Sequence, residues 1–133
     1  MIFLDSSFII SYEIENDQNH NKAVILMSKI RRRMYGPPVI SEYIFDEVST
    51  LLLVKLKDLN KVVERCELIK GLDMFRVNEL IFEQAWKIFK EQKNTKLSFT
   101  DCTIIATMKS KGIQNIATFD EDFKEIENIN VIG

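Results

Sequence analysis

Leu97-Ser98-Phe99-Thr100-Asp101-Cys102-Thr103-Ile104-Ile105-Ala106 reads as a capped helix start that runs into an apolar helix and carries one carboxylate in its first turn. Ser98 followed three residues later by Asp101 has the form of a capping box, in which serine and acid each answer a free backbone N–H at the helix start. Ile104, Ile105 and Met108 are spaced to point inward, and Gly112 is placed to end the helix. Beyond it, Ile116-Ala117-Thr118-Phe119 reads as a short strand that ends at Asp120. Asp120 to Lys124 is one helical turn at most, and Asn130-Val131-Ile132 a last strand.

The upstream chain repeats this alternation. Met1 to Leu4 is a short buried strand ended by Asp5, with Ser6 and Ser7 opening a helix through Phe8, Ile9, Ile10 and Tyr12. After a polar loop over Asp17–Asn21, the residues Ala23, Leu26, Met27, Ile30 and Met34 keep helical spacing until Gly36-Pro37-Pro38. Val39-Ile40 is a very short strand, and Ser41 caps a helix with the stripe Ile44, Val48, Leu51, Leu52 and Leu56. A further helix runs from Leu59 to Gly71, Met74–Val77 reads as a strand, and Asn78 caps a helix with the core face Ile81, Ala85, Ile88 and Phe89. Short apolar strands alternating with longer helices predict an α/β fold, a parallel sheet covered by helices. Spacing alone does not order the strands.

Composition narrows the class. The 133 residues are 46% hydrophobic and 29% charged, which suits one domain over residues 1–133 with a single core. Four apolar residues before Asp5 are too few for a signal peptide or membrane span, so a cytoplasmic protein with no membrane partner is expected. Cys66 and Cys102 both fall in apolar helical patterns and read as reduced core residues. With 18 basic and 20 acidic residues the net charge is −2, which argues against a uniformly basic nucleic-acid binder. The basic run Lys29-Ile30-Arg31-Arg32-Arg33 is a solvated helix face or, alternatively, a phosphate contact through Arg31, Arg32 and Arg33. His20 reads as a surface or packing residue, and Trp86 and the nine Phe as core residues, with base stacking as the alternative for the aromatics.

Four acids stand at element junctions. In an open α/β sheet ligands bind at the carboxyl ends of the strands, where Asp5 and Asp120 fall. Glu47 shares the apolar helix face of Ile44 and Leu51, where a half-buried carboxylate is costly unless it is paired or holds a metal. Its neighbours Glu42 and Asp46 are expected to be solvent charges. Asp101 both caps its helix and points to the same rim. Thr118 either hydrogen-bonds this cluster or caps the next turn, and Asp122 is either a fifth member or a solvated residue. Converging carboxylates repel one another unless a hard divalent cation with oxygen ligands joins them. Mg2+ or Mn2+ suits that set, and a single His with two buried Cys does not suit zinc. Such a site is suited to phosphodiester hydrolysis, with a remaining carboxylate as general base.

The segments Ile2-Phe3-Leu4-Asp5-Ser6-Ser7, Ile40-Ser41-Glu42-Tyr43-Ile44-Phe45-Asp46-Glu47-Val48, Leu97-Ser98-Phe99-Thr100-Asp101-Cys102 and Ala117-Thr118-Phe119-Asp120-Glu121-Asp122-Phe123 together resemble the PIN-domain family of metal-dependent ribonucleases, and in length the single-domain toxins of the VapC type. The resemblance implies a three-layer α/β/α fold around a mainly parallel sheet. It also implies an acidic quartet of Asp5, Glu47, Asp101 and Asp120 around Mg2+ or Mn2+, supported by Ser7, Thr118 and Asp122. It further implies an RNA substrate, a homodimer and a small antitoxin protein as inhibitor. The alternatives are a housekeeping RNA-processing nuclease and a silent PIN-like binding module. A nucleotide-cofactor fold is excluded by Asp5-Ser6-Ser7-Phe8 where a glycine-rich phosphate loop would stand. An aspartyl phosphatase lacks its second acid, since Ser7 occupies that place, and a receiver domain would need a mid-chain Asp at a strand end.

Overall fold

The computed structural model describes every residue, Met1–Gly133. The chain runs β1 (Ile2–Leu4), α1 (Ser6–Glu13), α2 (His20–Arg31), β2 (Pro38–Ser41), α3 (Glu42–Leu56), α4 (Leu59–Lys70), β3 (Asp73–Phe75), α5 (Glu79–Lys90), α6 (Phe99–Lys111), β4 (Asn115–Ala117), a 3-10 turn (Glu121–Glu125) and β5 (Asn130–Ile132). All strand pairs are parallel and the order is β3-β2-β1-β4-β5. This is the expected helix-covered parallel sheet, with the strand order now resolved. From β1 the chain builds outward through β2 and β3, then crosses back to lay β4 and β5 on the other side. The reversal falls between β1 and β4, which makes the crevice above their carboxyl ends the switch point where such sheets bind ligands.

The central strand explains why the sheet is parallel and covered. Ile2, Phe3 and Leu4 are at most 1% exposed, so β1 has no solvent face and reads as a continuous apolar run. The helix opened by Ser98 is buried on every side: Cys102 through Met108 are all inaccessible, although the spacing singled out only Ile104, Ile105 and Met108. Two hydroxyls in that run are satisfied within the helix, Thr103 donating to the Thr100 carbonyl (2.5 Å) and Thr107 to that of Thr103 (2.7 Å). A buried polar group without such a partner would cost about 1–3 kcal/mol. Gly112 ends the helix in the left-handed region (φ +67°), with the N–H of Ile113 bonded back to Met108. Cys66 and Cys102 are free and buried, as expected.

Four local expectations are corrected. The third strand is Asp73–Phe75, not Met74–Val77, because the Val77 N–H is taken by the Glu42 carboxylate at 2.7 Å. Glu42 is therefore a half-buried structural acid and not a solvent charge, whereas Asp46 is exposed as expected. The fourth strand stops at Ala117, and Thr118 leaves the ladder to serve the carboxylates at its end. Phe89 is 38% exposed and lies against Trp86 instead of pointing into the core. No helix is long and apolar enough to cross a membrane.

Candidate active site

The sheet register places the site. Leu4 pairs with Ala117, so the next residues, Asp5 and Thr118, emerge side by side from β1 and β4. The Asp5 N–H bonds to the Ala117 carbonyl at 3.0 Å, fixing the backbone at the crevice. Asp5 is 3% exposed, and three donors answer its carboxylate. Oδ1 accepts from the Ser6 N–H at 2.8 Å, which also caps α1. Oδ2 accepts from the Ser7 hydroxyl (2.8 Å) and the Thr118 hydroxyl (2.6 Å). Each of these last two hydroxyls accepts in turn from a backbone N–H, Ser7 from Phe119 and Thr118 from Asp120, both at 3.0 Å. A chain of donors thus links the buried acid to the backbone that carries the next one.

The other three acids ring Asp5. Glu47, one turn into α3, accepts a short hydrogen bond from the Ser6 hydroxyl. Asp101 closes the capping box of α6: its Oδ2 accepts from the Ser98 N–H at 2.9 Å and its own N–H donates to the Ser98 hydroxyl at 3.1 Å. Asp120 caps the 3-10 turn, its Oδ1 accepting from the Asp122 N–H at 2.9 Å. That turn is pinned by Phe123, which is fully buried. In each of the three outer acids one carboxylate oxygen is thus held by the protein. The other oxygen of each makes no protein hydrogen bond.

Burial is the main influence on the titration of Asp5 and Asp101. It raises the Asp5 carboxyl above the ordinary value of 3.8; hydrogen bonds from Thr118, Ser7 and Ser6 oppose the rise, and the Glu47 charge adds to it. Burial likewise pushes Asp101 up to about 6; the Ser98 bonds pull it back, and the charges of Asp5 and Asp120 push it further. Asp5 is thus within electrostatic reach of Glu47, and Asp101 within reach of Asp5 and Asp120. No cationic side chain answers them, since the ion pairs of the chain are Arg65–Glu13, Lys70–Glu67 and Lys124–Glu121. A half-buried group of like charges with free oxygen lone pairs has the donor chemistry of a hard-cation site. No three acidic, His or Cys side chains already close on one point.

The structure links Asp5 to Glu47 through Ser6 and to the Asp120 backbone through Thr118, sets Asp101 within electrostatic reach of Asp5 and Asp120, and makes Ser7 and Thr118 direct partners of Asp5. Asp122 contributes its backbone N–H. An open groove beside the acids is lined by Ser6, Ser7, Ser11, Asn19, Phe119 and Asp120. Ser6 was missed as a site residue, although it joins Asp5 to Glu47; the tandem Ser6-Ser7 after Asp5 was its only signal, read as a helix start. Arg31, Arg32 and Arg33 are not at this rim. They are exposed at the end of α2, before the loop that enters β2, where Arg31 hydrogen-bonds the Tyr12 hydroxyl at 2.8 Å. His20 is also structural in its contacts, its Nδ1 lying 2.9 Å from the Ser11 carbonyl.

Comparison with known proteins identifies the family and the fold. The PIN-domain profile matches residues 2–129. The chain is 31% identical over 128 residues to the 23S rRNA-specific endonuclease VapC20 of Mycobacterium tuberculosis, covering 92% of each chain. It is 29% identical to ribonuclease VapC6 of Methanocaldococcus jannaschii, over 98% of this chain and 95% of that one. The crystal structure of VapC20, described as a sarcin-ricin loop cleaving toxin, superposes with a TM-score of 0.81 at 28% identity over 93% of both chains. A toxin–antitoxin complex from Klebsiella pneumoniae shares the fold, with a TM-score of 0.70 at 17% identity over 100% of this chain and 97% of that one.

Proposed function

This chain belongs to the PIN-domain family, and from that premise we propose that it is an endoribonuclease that hydrolyses RNA phosphodiester bonds with Mg2+ or Mn2+, acting in the cytoplasm as the toxin of a toxin–antitoxin pair. The observation that carries the reading is the uncompensated acidic quartet at the switch-point crevice. Asp5, Asp101 and Asp120 are the proposed metal ligands. A divalent cation bound there supplies charge neutralisation at the phosphate and acidifies a water for attack. The chain's own part is to aim the lone pairs: Ser7 and Thr118 orient Asp5, Ser6 orients Glu47, Ser98 orients Asp101, and the 3-10 turn orients Asp120. Glu47 is proposed as the acid left to accept a proton from the attacking water, since its link to the rim runs through Ser6.

The proposed partners are an RNA substrate, a cognate antitoxin protein and a second copy of the chain. Bare aliphatic side chains on α2 and α4 support a protein partner there: Ile25, Leu59 and Leu68 are 60%, 63% and 74% exposed. The test is digestion of single-stranded and structured RNA by the purified protein. Cleavage is expected with Mg2+ or Mn2+, to stop with EDTA, and to be lost in Asp5→Asn and Asp101→Asn. Cleavage that persists in both variants would trace to a contaminant, and no cleavage across several RNAs and both metals would favour a binding module.

A further inference from the structure

Tyr43, Phe82, Trp86, Phe89 and Phe99 form one aromatic cluster contributed by α3, α5 and the first turn of α6. Phe99 is its hub, with ring centroids 5.0 Å from Phe82, 6.3 Å from Phe89, and 6.4 Å from both Trp86 and Tyr43. Trp86 and Phe89 lie nearly parallel, 5.6 Å apart at 15°. A group packed this closely belongs in a core by its contacts, yet Phe82, Trp86 and Phe89 are 41%, 44% and 38% exposed. The rings are held in fixed places with their outer faces open.

Position and charge separate this patch from the bare aliphatic one. Phe99 stands two residues before Asp101, and Tyr43 one helical turn before Glu47, so the cluster starts about 3 Å and about 6 Å of helix rise from these two acids. Lys90 Nζ lies 5.9 Å from the Trp86 ring centroid, and Lys93 and Lys96 are exposed in the segment leading to Ser98, where Glu91 is the one acid. That segment is braced by Gln92, which donates to the Leu97 carbonyl (3.0 Å) and accepts from the Leu97 N–H and the Thr95 hydroxyl (both 2.8 Å). On the same helix Glu79 and Glu83 flank Phe82, the ring nearest Phe99, and Lys90 stands at the other end, beside Trp86 and Phe89. A chain of net charge −2 with an acidic site needs local cations to hold a polyanion. The arginine run is not at that rim, whereas these lysines adjoin it.

We propose that Trp86, Phe89 and Phe99, with Lys90, Lys93 and Lys96, form a stacking platform for the unpaired bases of an RNA strand whose scissile phosphate lies at the acidic rim. The proposal rests on the endoribonuclease reading and names how that site holds its substrate. Every base offers a π face, so such a platform selects unpaired strand over duplex more than it selects sequence. The lysines answer the phosphates between stacked bases, and Lys90 adds its charge over the indole.

Trp86 is the chain's one tryptophan, so its fluorescence reads the platform directly. In EDTA, which prevents cleavage, a short single-stranded RNA is expected to quench it saturably and a blunt duplex of the same length to quench it far less. Trp86→Ala is expected to weaken binding about tenfold or more, and Trp86→Phe to restore most of it. Lys93→Ala combined with Lys96→Ala, both at exposed loop positions that leave the fold intact, is expected to lower the slope of log affinity against log salt by about 1.4. Unchanged RNA affinity in Trp86→Ala, or an unchanged salt slope in the lysine pair, overturns the proposal. So does a Trp86→Ala variant that splits an oligomer while keeping its RNA affinity, which would make the patch a protein interface. If the wild type cleaves RNA while Trp86 stays silent, only the platform fails. If it neither binds nor cleaves, the endoribonuclease reading fails with it.

Discussion

At the edge where β1 and β4 end, three carboxylates surround Asp5, itself 3% exposed, and nothing cationic in the chain offsets them. At the opposite edge, where β1 and β2 begin, the chain closes on itself by backbone alone. There Ile2 donates to the Pro37 carbonyl at 3.0 Å, and Gly36 folds so tightly over Met1 that a Cβ would lie 2.7 Å from the Met1 nitrogen. One edge spends stability to hold like charges together. The other stabilises the same strands and carries no chemistry. Substitutions at the two edges should therefore move activity and stability in opposite proportion.

The largest effect is expected at the acidic edge. Asp101→Asn keeps the shape of the cap and removes a charge that burial already disfavours. RNA cleavage should fall about 100-fold or more, while the metal-free variant should melt higher than the wild type near pH 7.5. A variant that loses activity and melting temperature together would show that Asp101 serves the helix start more than the site. At the far edge Gly36→Ala should do the reverse. Gly36 has φ +81° and meets backbone, not a flexible side chain, so alanine there should cost about 1–3 kcal/mol by denaturant unfolding. Cleavage per folded molecule should stay near wild type, and a large loss there would mean that the two edges are mechanically coupled.

How far each edge could be read from the sequence follows from the range of its interactions. The acids were legible because each sits at a local boundary: Asp5 at a strand end, Asp101 in a capping box, Asp120 before a turn, Glu47 on an apolar stripe. Their convergence was inferred from that pattern, and the β1–β4 register that sets Asp5 beside Thr118 joins residues more than a hundred apart. Strand order could not be read for the same reason. Ser6 was hidden because its hydroxyl reaches Glu47 across 41 residues while its backbone does the ordinary work of a helix start. Glu42 was misread because its partner, the Val77 N–H, lies 35 residues on. Phe89 was misread because helical spacing identifies an apolar stripe but not whether a second helix covers it. The Gly36 contact left only a Gly-Pro-Pro turn as its trace.

The smallest expected effect is the one that ties charge at the rim to stability. Asp101 titrates at about 6 in the folded chain against an ordinary 3.8, and Asp5 is shifted in the same direction. A folded-state value raised in this way means that the native protein holds the proton more tightly than the unfolded chain does. The associated stability is fully present below about pH 4 and is lost as pH rises through 6. Metal-free protein should therefore melt a few degrees lower at pH 7.5 than at pH 5, and Asp101→Asn should flatten that slope. A divalent cation reverses the balance because it binds the deprotonated acids and competes with protons. At a hundredfold excess over its dissociation constant it adds about 2.7 kcal/mol, which is about 10 °C in a domain of this size. The rise in melting temperature on adding Mg2+ or Mn2+ should be large at pH 7.5, small at pH 5 and reduced in Asp101→Asn. A rise of equal size at both pH values would place the bound cation away from these acids.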